Sequence, residues 1–243
     1  KFQFIIYAKI QRGKFKISMK KIVYISRLFS GFQKSVYEEN WKPSGATTIF
    51  KFFDFAKKNF QLEVFFTHKD KSIKKFKIKK KKLRNFLKNS WLVEQPEKKF
   101  FLISDIFHLI FDFIIFFKIL KRSPSIIYAT NQNLILAVLF KFFTKCPVVL
   151  RVMGVFDVMR TKKNIKDYLF QLLYKVRFDL VVITEDGSGT EEWSHKSLNK
   201  LSKKLILING VDKILKTKKN KKYYSDILFV GRLESGKGIK EFV

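Results

Sequence analysis

The chain has 243 residues, a length typical of one or two domains, and 47% of them are hydrophobic and 29% are charged. This balance excludes both a disordered polar chain and one wholly embedded in a membrane. Lys and Arg total 51 against 20 Asp and Glu, so the formal net charge of +31 favours an anionic partner. The many Lys and the 29 Phe also fit a compositional bias of the genome, which would raise the charge without selection for binding.

The content of metal-ligating residues is low. Cys146 is the single cysteine, which excludes an internal disulfide, and the 3 histidines form no zinc-ligand spacing with it. We therefore expect no bound metal and a reducing, cytoplasmic location.

Residues 1–18 differ in character from the rest of the chain. They carry five basic side chains and no acidic one, and their apolar patch at 4–8 is too short for a signal peptide. Met19 then opens a basic start that leads directly into a buried-strand pattern. We interpret 1–18 as an upstream extension and Met19 as the natural start, and we expect the first domain to cover 19–208.

Short apolar, β-branched runs predict strands, and longer runs with a period of 3.6 predict helices. In chain order the predictions are a strand at 22–26, helix 47–59, strand 61–67, helix 100–120, strand 126–129, helix 134–143, strand 148–152, helix 164–176 and strand 179–184. This alternation predicts an α/β fold with a doubly wound, Rossmann-like parallel sheet. Since such sheets bind ligands at the carboxyl ends of their strands, we expect the chemistry in the loops at 27–45, 153–160, 184–192, 209–212 and 231–238.

Residues 69–88 form a strongly basic segment with eleven Lys or Arg and a single acid, Asp70. One interpretation is a solvated loop and helix face. The other is a contact with anionic lipid headgroups, where each basic residue contributes about 1 kcal/mol. In that case Phe76, Leu83, Phe86 and Leu87 are the apolar side chains that would enter the membrane interface.

The apolar segment 100–120 has the length of a transmembrane helix. It contains Asp105, His108, Asp112 and Lys118, and a charged group in the middle of a bilayer costs about 2.5 to 3.5 kcal/mol. We therefore predict a buried or surface-facing amphipathic helix, and an integral membrane protein is the alternative.

Two glycine-rich segments resemble nucleotide-binding motifs without matching them. The first contains Gly187 and Gly189, but Glu192 stands where a dinucleotide-binding loop has its third glycine. The second, GRLESGKG at 231–238, fits a phosphate-binding P-loop except that Gly238 replaces the Ser or Thr that would hold Mg²⁺. A P-loop-like nucleotide-binding protein is thus an alternative. A phosphate site near Arg232 and Lys237 stays compatible with the sequence, because a helix that begins after them would present its N-terminus to the anion.

Several segments occur in an order typical of one enzyme family. They are MKKIVYIS at 19–26, PSGA at 43–46, PVVLRVMG at 147–154, FDLVVIT at 178–184, NGVD at 209–212 and ILFVGRLESGKG at 227–238. Together they resemble the GT-B glycosyltransferases of family four, the "glycosyl transferases group 1" class. NGVD followed by FVGRL and KG is the most specific part of this resemblance.

The resemblance implies two Rossmann-like domains that face a cleft. The acceptor-binding domain would cover 19–208, and 209–243 would be the linker and the first strand and loop of a nucleotide-sugar-binding domain, so that the chain is an N-terminal fragment. The family's diphosphate-binding residues correspond to Gly231, Arg232 and Lys237, and its glycine loop near donor and acceptor corresponds to Gly45. The candidates that line the cleft are Arg151, Gly154, Asn209 and Gly210.

The implied activity is retaining, metal-independent transfer of a sugar from a nucleotide-sugar to a hydroxyl of a glycan or lipid-linked acceptor. The nucleotide-sugar is a substrate, and no cofactor is implied. Met153 stands where many members of the family have a His, so no catalytic residue is assigned, and the family's pair of Glu residues would follow Val243, so the fragment is expected to be inactive. We expect cell-surface glycan synthesis at the inner face of the membrane.

A nucleic-acid-binding protein is a further alternative, which only the positive charge motivates. The sequence contains no helix-turn-helix, zinc or aromatic RNA-binding signature. We therefore expect no nucleic-acid partner.

Overall fold

The structure is a computed structural model that describes residues 20–28, 30–38, 47–68, 83–85, 87–94, 101–153, 165–185 and 189–208. The chain divides into two compact units, Lys1–Gly210 and Val211–Val243. All of the described residues belong to the first unit. The predicted domain boundary at 208 stays a prediction.

The first unit alternates strands and helices along the chain. Its strands are β1 Lys21–Arg27, β2 Gln61–His68, β3 Ser90–Glu94, β4 Ile126–Thr130, β5 Val148–Val152, β6 Leu180–Glu185 and β7 Lys203–Ile208. Its α-helices are α1 Ser30–Tyr37, α2 Thr47–Asn59, α3 Phe101–Leu120, α4 Leu134–Phe143, α5 Ile165–Tyr174 and α6 Thr190–Ser197, and a 3₁₀ turn at Asn131–Asn133 precedes α4.

The strands form one seven-stranded sheet in the order β3-β2-β1-β4-β5-β6-β7, and all neighbouring pairs are parallel. Tyr24 of β1 lies opposite Val64 of β2 and Tyr128 of β4. Arg151 of β5 lies opposite Thr130 of β4 and Val182 of β6. The predicted doubly wound, Rossmann-like parallel sheet is therefore confirmed.

Apolar side chains cover both faces of the sheet, as expected for parallel strands. One buried cluster combines alternate strand residues such as Ile25 and Leu150 with side chains of α3, α4, α5 and α6. The other combines the intervening strand residues, such as Tyr24 and Phe66, with side chains of α1 and α2. The sheet is thus the middle layer of three.

The prediction missed several elements. Helix α1 occupies part of the predicted loop at 27–45, and strands β3 and β7 extend the sheet at its two edges. The predicted helices 47–59 and 134–143 and the strand 148–152 have the observed bounds. The remaining predicted elements in the described part of the chain differ from the observed ones by one or two residues at their ends.

Candidate functional site

The order of the strands defines where a ligand would bind. The connection from β1 leads through α1 and α2 on one face, whereas the connection from β4 leads through α4 on the other face. Because β1 and β4 are neighbours, their carboxyl ends form the point at which the winding reverses. Open parallel sheets bind ligands in the crevice at such a switch point. The candidate site is therefore the carboxyl edge of the sheet around β1, β4 and β5.

Buried polar side chains tie these strand ends together. The Gln33 side-chain amide donates to the Leu28 carbonyl oxygen at 2.9 Å, and the Leu28 backbone N–H donates to the Thr67 carbonyl oxygen at 2.9 Å. The Asn133 side-chain amide donates to the Thr67 hydroxyl at 2.9 Å, and the Met153 backbone N–H contacts the Asn131 side-chain oxygen at 3.4 Å. These bonds give the carboxyl edge a defined geometry.

Arg151 is a buried charged side chain of this region. It lies in the last part of β5 and is only 8% exposed. Its Nη2 atom donates to Thr184 Oγ1 of β6 at 2.7 Å, whereas its buried Nε–H has no hydrogen-bond partner. Among the side chains that the structure describes, no carboxylate oxygen lies within 4.0 Å of the Arg151 guanidinium.

Two tyrosines continue the same face of the sheet beside Arg151. The Tyr128 ring stacks on the Tyr24 ring at a centroid distance of 5.2 Å and packs against the Phe52 ring at 4.6 Å. Burial raises the pKa of Tyr128, and the charge and hydrogen bonding of the adjacent Arg151 oppose this rise. Burial also raises the pKa of Tyr24 far above its ordinary value, and the neighbouring Tyr128 adds to this effect. Both phenols are therefore neutral at physiological pH and supply no counter-charge.

Among the predicted site residues, the structure describes Arg151 alone. Gly45, Gly154, Asn209, Gly210, Gly231, Arg232 and Lys237 lie outside the described residues, so their roles stay predictions. Thr184 begins the predicted loop 184–192, whereas the prediction missed Thr67, Asn133 and Tyr128. The available signal for Thr67 was a Thr at the end of an apolar strand.

The opposite, amino edge of the sheet holds a second charged cluster. The buried Glu63 carboxylate of β2 lies 3.6 Å from the Lys21 Nζ atom and 3.9 Å from the Arg122 Nη1 atom. Lys21 also donates to the Arg122 carbonyl oxygen at 2.7 Å, and the Arg122 guanidinium lies 4.2 Å from the centre of the Trp91 ring. Since its charges are paired, we assign this cluster to stability.

The basic segment 69–88 lies mostly outside the described residues, but two of its apolar side chains are described. Leu83 and Leu87 are buried and belong to the core beneath β2. The expectation that they enter a membrane interface is therefore wrong, because the protein's own core already covers them.

The apolar segment 100–120 is a helix over Phe101–Leu120, as predicted. Its Ile115, Phe116 and Ile119 side chains are buried against the sheet. Within the described ranges no helix has both the length and the apolar character required to cross a bilayer.

The other face of α3 carries large apolar side chains in solvent. They continue onto the end of α4, where Phe143 lies 6.0 Å from Phe116 between ring centroids. Phe117 is 55% exposed, Phe142 69% and Phe143 67%. We call this the α3–α4 surface, and it consists of Leu109, Ile110, Phe113, Ile114, Phe117, Leu120, Phe142 and Phe143.

Comparison with known proteins adds no assignment. No protein-family model matches the sequence, and a search of curated proteins finds no match. The structural basis for a function is therefore the fold together with the geometry of the carboxyl edge.

Proposed function

We propose that the chain is the acceptor-binding part of a retaining, metal-independent glycosyltransferase that uses a nucleotide-sugar donor. The observation that carries the proposal is the doubly wound parallel sheet with a buried arginine at its switch-point edge, next to which no described side chain places a carboxylate. The motif order at 19–238 supports it, because NGVD and the GR…KG loop follow β7 as they follow the first domain in GT-B enzymes.

In this proposal the acceptor lies at the carboxyl edge of the first domain. Gly45 and Gly154 are expected to let the backbone approach the ligands, because glycine has no Cβ atom. Asn209 and Gly210 would border the cleft. The acceptor oxygen forms the new glycosidic bond, the bond between the donor sugar and its diphosphate breaks, and the proton of the acceptor hydroxyl passes to the released diphosphate.

The leaving diphosphate gains negative charge as that bond breaks. Arg232 and Lys237, together with the backbone at Gly231, would stabilise this charge next to a helix N-terminus. Fixed cations that act in the transition state lower the barrier without a metal ion.

The experiment measures binding of UDP-glucose, GDP-mannose and ADP-glucose to the 243-residue chain by calorimetry. We expect at least one of them to bind, and we expect Arg232→Ala with Lys237→Ala to weaken that binding at least tenfold. The double variant Lys218→Ala with Lys219→Ala removes the same charge from the same segment and should bind as the unchanged chain does. Equal affinity in both double variants, or the absence of any binding, would contradict a diphosphate site within 231–238.

A second proposal concerns location, and the α3–α4 surface favours it. Monomeric proteins rarely leave contiguous apolar patches of this kind in water. The exposed Lys118, Lys121 and Lys145 lie at the ends of the helices that form the surface. Apolar side chains bordered by lysines match a bilayer surface with anionic headgroups. We propose that this surface binds the inner face of the membrane peripherally, with or without catalysis.

Vesicle sedimentation tests this proposal. The chain should sediment with phosphatidylcholine–phosphatidylglycerol vesicles more than with pure phosphatidylcholine vesicles. Phe142→Gln with Phe143→Gln should reduce the bound fraction at least threefold, whereas Leu201→Gln, which changes another exposed apolar residue, should not. If the Phe variant instead abolishes a concentration-dependent dimer and leaves vesicle binding unchanged, the surface pairs two copies and the membrane proposal is wrong.

A further inference from the structure

Arg151 differs from the other described charged groups in the way its charge is satisfied. The residue is more than nine-tenths buried, and its buried Nε–H forms no hydrogen bond. Its partner at 2.7 Å, Thr184 Oγ1, is a neutral hydroxyl. By contrast, the buried Glu63 carboxylate at the amino edge has two cations within 4.0 Å.

A buried charge without a counter-charge is unfavourable, and burial of an unpaired N–H adds a further free-energy cost. A buried lysine can lose its proton under these conditions, but arginine stays charged in proteins. The neighbouring Tyr128 and Tyr24 are neutral phenols. The described surroundings of Arg151 thus contain a positive charge and a free donor but no anion.

Arg151 lies near the end of its strand, at the edge of the sheet where a ligand is expected. It lies opposite Thr130, the last residue of β4, and two positions before Met153, where β5 has ended. Both strand ends belong to the carboxyl edge, where ligands of doubly wound sheets bind. A guanidinium presents several N–H groups in one plane, which matches the oxygens of a phosphate or a carboxylate.

We propose that Arg151 binds an anionic oxygen group, a phosphate or a carboxylate, of a ligand at the carboxyl edge of the sheet. The Thr184 hydroxyl holds one end of the guanidinium, and the Nε–H remains without a protein partner. The site itself does not depend on the proposed glycosyltransferase function. Under that function the anion belongs to the acceptor, because the acceptor is expected at the edge of this domain.

The test uses the 243-residue chain with inorganic phosphate and pyrophosphate as probes, at constant ionic strength set with chloride. Calorimetry gives the dissociation constants, and the unfolding temperature gives an independent readout. Arg151→Gln should weaken binding of at least one probe tenfold or more. Arg177→Gln removes the same charge from an exposed position and should change the affinity less than twofold.

The double variant Arg232→Ala with Lys237→Ala tests the proposed donor site separately. If it and Arg151→Gln each weaken pyrophosphate binding, both sites hold an anion and both proposals stand. If only Arg151→Gln weakens binding, Arg151 serves an anionic acceptor and the donor site proposed above is wrong. If only the double variant weakens binding, or if the unchanged chain binds neither probe, the assignment of Arg151 is overturned and the glycosyltransferase proposal is judged on nucleotide-sugar binding alone.

Arg151→Lys covers the case in which Arg151→Gln does not fold. It keeps the charge but removes the planar arrangement of donors, so we expect at least threefold weaker binding of the probe. Unchanged affinity in Arg151→Lys would overturn recognition by the guanidinium.

Discussion

Arg151 and Thr184 are joined across neighbouring strands by a 2.7 Å hydrogen bond between Nη2 and Oγ1. Thr184→Val keeps the shape of the side chain and removes the acceptor, which leaves a further buried N–H unpaired. We expect a loss of about 1–3 kcal/mol in the free energy of unfolding. Chemical denaturation measures this loss, and Thr184→Ser, which keeps the hydroxyl, should lose less than half as much. A larger loss in Thr184→Ser than in Thr184→Val would mean that packing of the methyl group, and not the hydrogen bond, determines the stability.

The Glu63 cluster predicts a stability effect at the amino edge. Glu63→Gln removes the carboxylate that lies between the Lys21 and Arg122 cations. Because both cations retain some contact with solvent, we expect a loss of about 1–2 kcal/mol, below the value for a fully buried pair. Glu38→Gln breaks an exposed pair with Lys34 and should change stability by about 0.5 kcal/mol or less. If the two variants unfold at the same denaturant concentration, burial of the Glu63 ion pairs adds nothing to the free energy of unfolding.

The hydrogen bonds of Asp179 should make the free energy of unfolding depend on pH. Partial burial alone would raise the pKa of Asp179. Hydrogen bonds from Lys141 and from the Val148 backbone N–H nevertheless hold this pKa below its ordinary value of 3.8. The unfolded chain therefore takes up this proton at a higher pH than the folded chain does. The stabilisation is present above the ordinary value and is lost as the pH falls through the folded pKa.

Asp179→Asn should reduce this part of the acid sensitivity. We expect the difference in unfolding free energy between the two chains to be largest near pH 6 and to shrink below pH ~4. Denaturation curves at a series of pH values measure it. A difference that stays constant from pH 6 to pH 3 would contradict the assignment.

The backbone conformation of Ser123 suggests a substitution that should stabilise the protein. It follows α3, and its φ of 49° lies in the left-handed region, which glycine adopts without a steric penalty. Its backbone N–H donates to the Leu120 carbonyl oxygen at 3.0 Å, and glycine keeps this bond. We expect Ser123→Gly to raise the free energy of unfolding by about 0.5–1 kcal/mol.

The control for this substitution is Ser123→Ala, which keeps the Cβ atom and should give no increase in stability. Thermal unfolding of both variants is sufficient to compare them. An equal increase in both would mean that loss of the hydroxyl, not relief of the backbone, is responsible.

The sequence predicts best the elements whose ends carry a local signal. Strand β5 follows Pro147, and α2 ends at Asn59 before the next apolar run, so their bounds were predicted correctly. Helix α1 was missed because SGFQKSVY contains few apolar residues and two serines. Strand β3 was missed because five residues beside a basic segment give too short a pattern.

The site is less predictable because its contacts join distant parts of the chain. Asn133 and Thr67 are 66 positions apart, and Arg151 and Thr184 are 33 positions apart. These pairs meet only because the sheet places β2 and β4 on either side of β1, and β6 next to β5. Propensity and periodicity contain no information about strand order. Arg151 was predicted from the family resemblance, and its burial became visible only in the fold.

The helices that connect parallel strands run back toward the amino edge of the sheet. The last turns of α2, α3, α4 and α6 therefore bring Lys57, Lys118, Lys141 and Lys196 to that edge, far along the strands from Arg151. Lys57, Lys141 and Lys196 are paired there with Asp54, Asp179 and Glu192, whereas Lys118 is exposed. Exchange of Lys118 for glutamine should thus lower unspecific anion binding at this edge and leave the signal from the carboxyl edge intact.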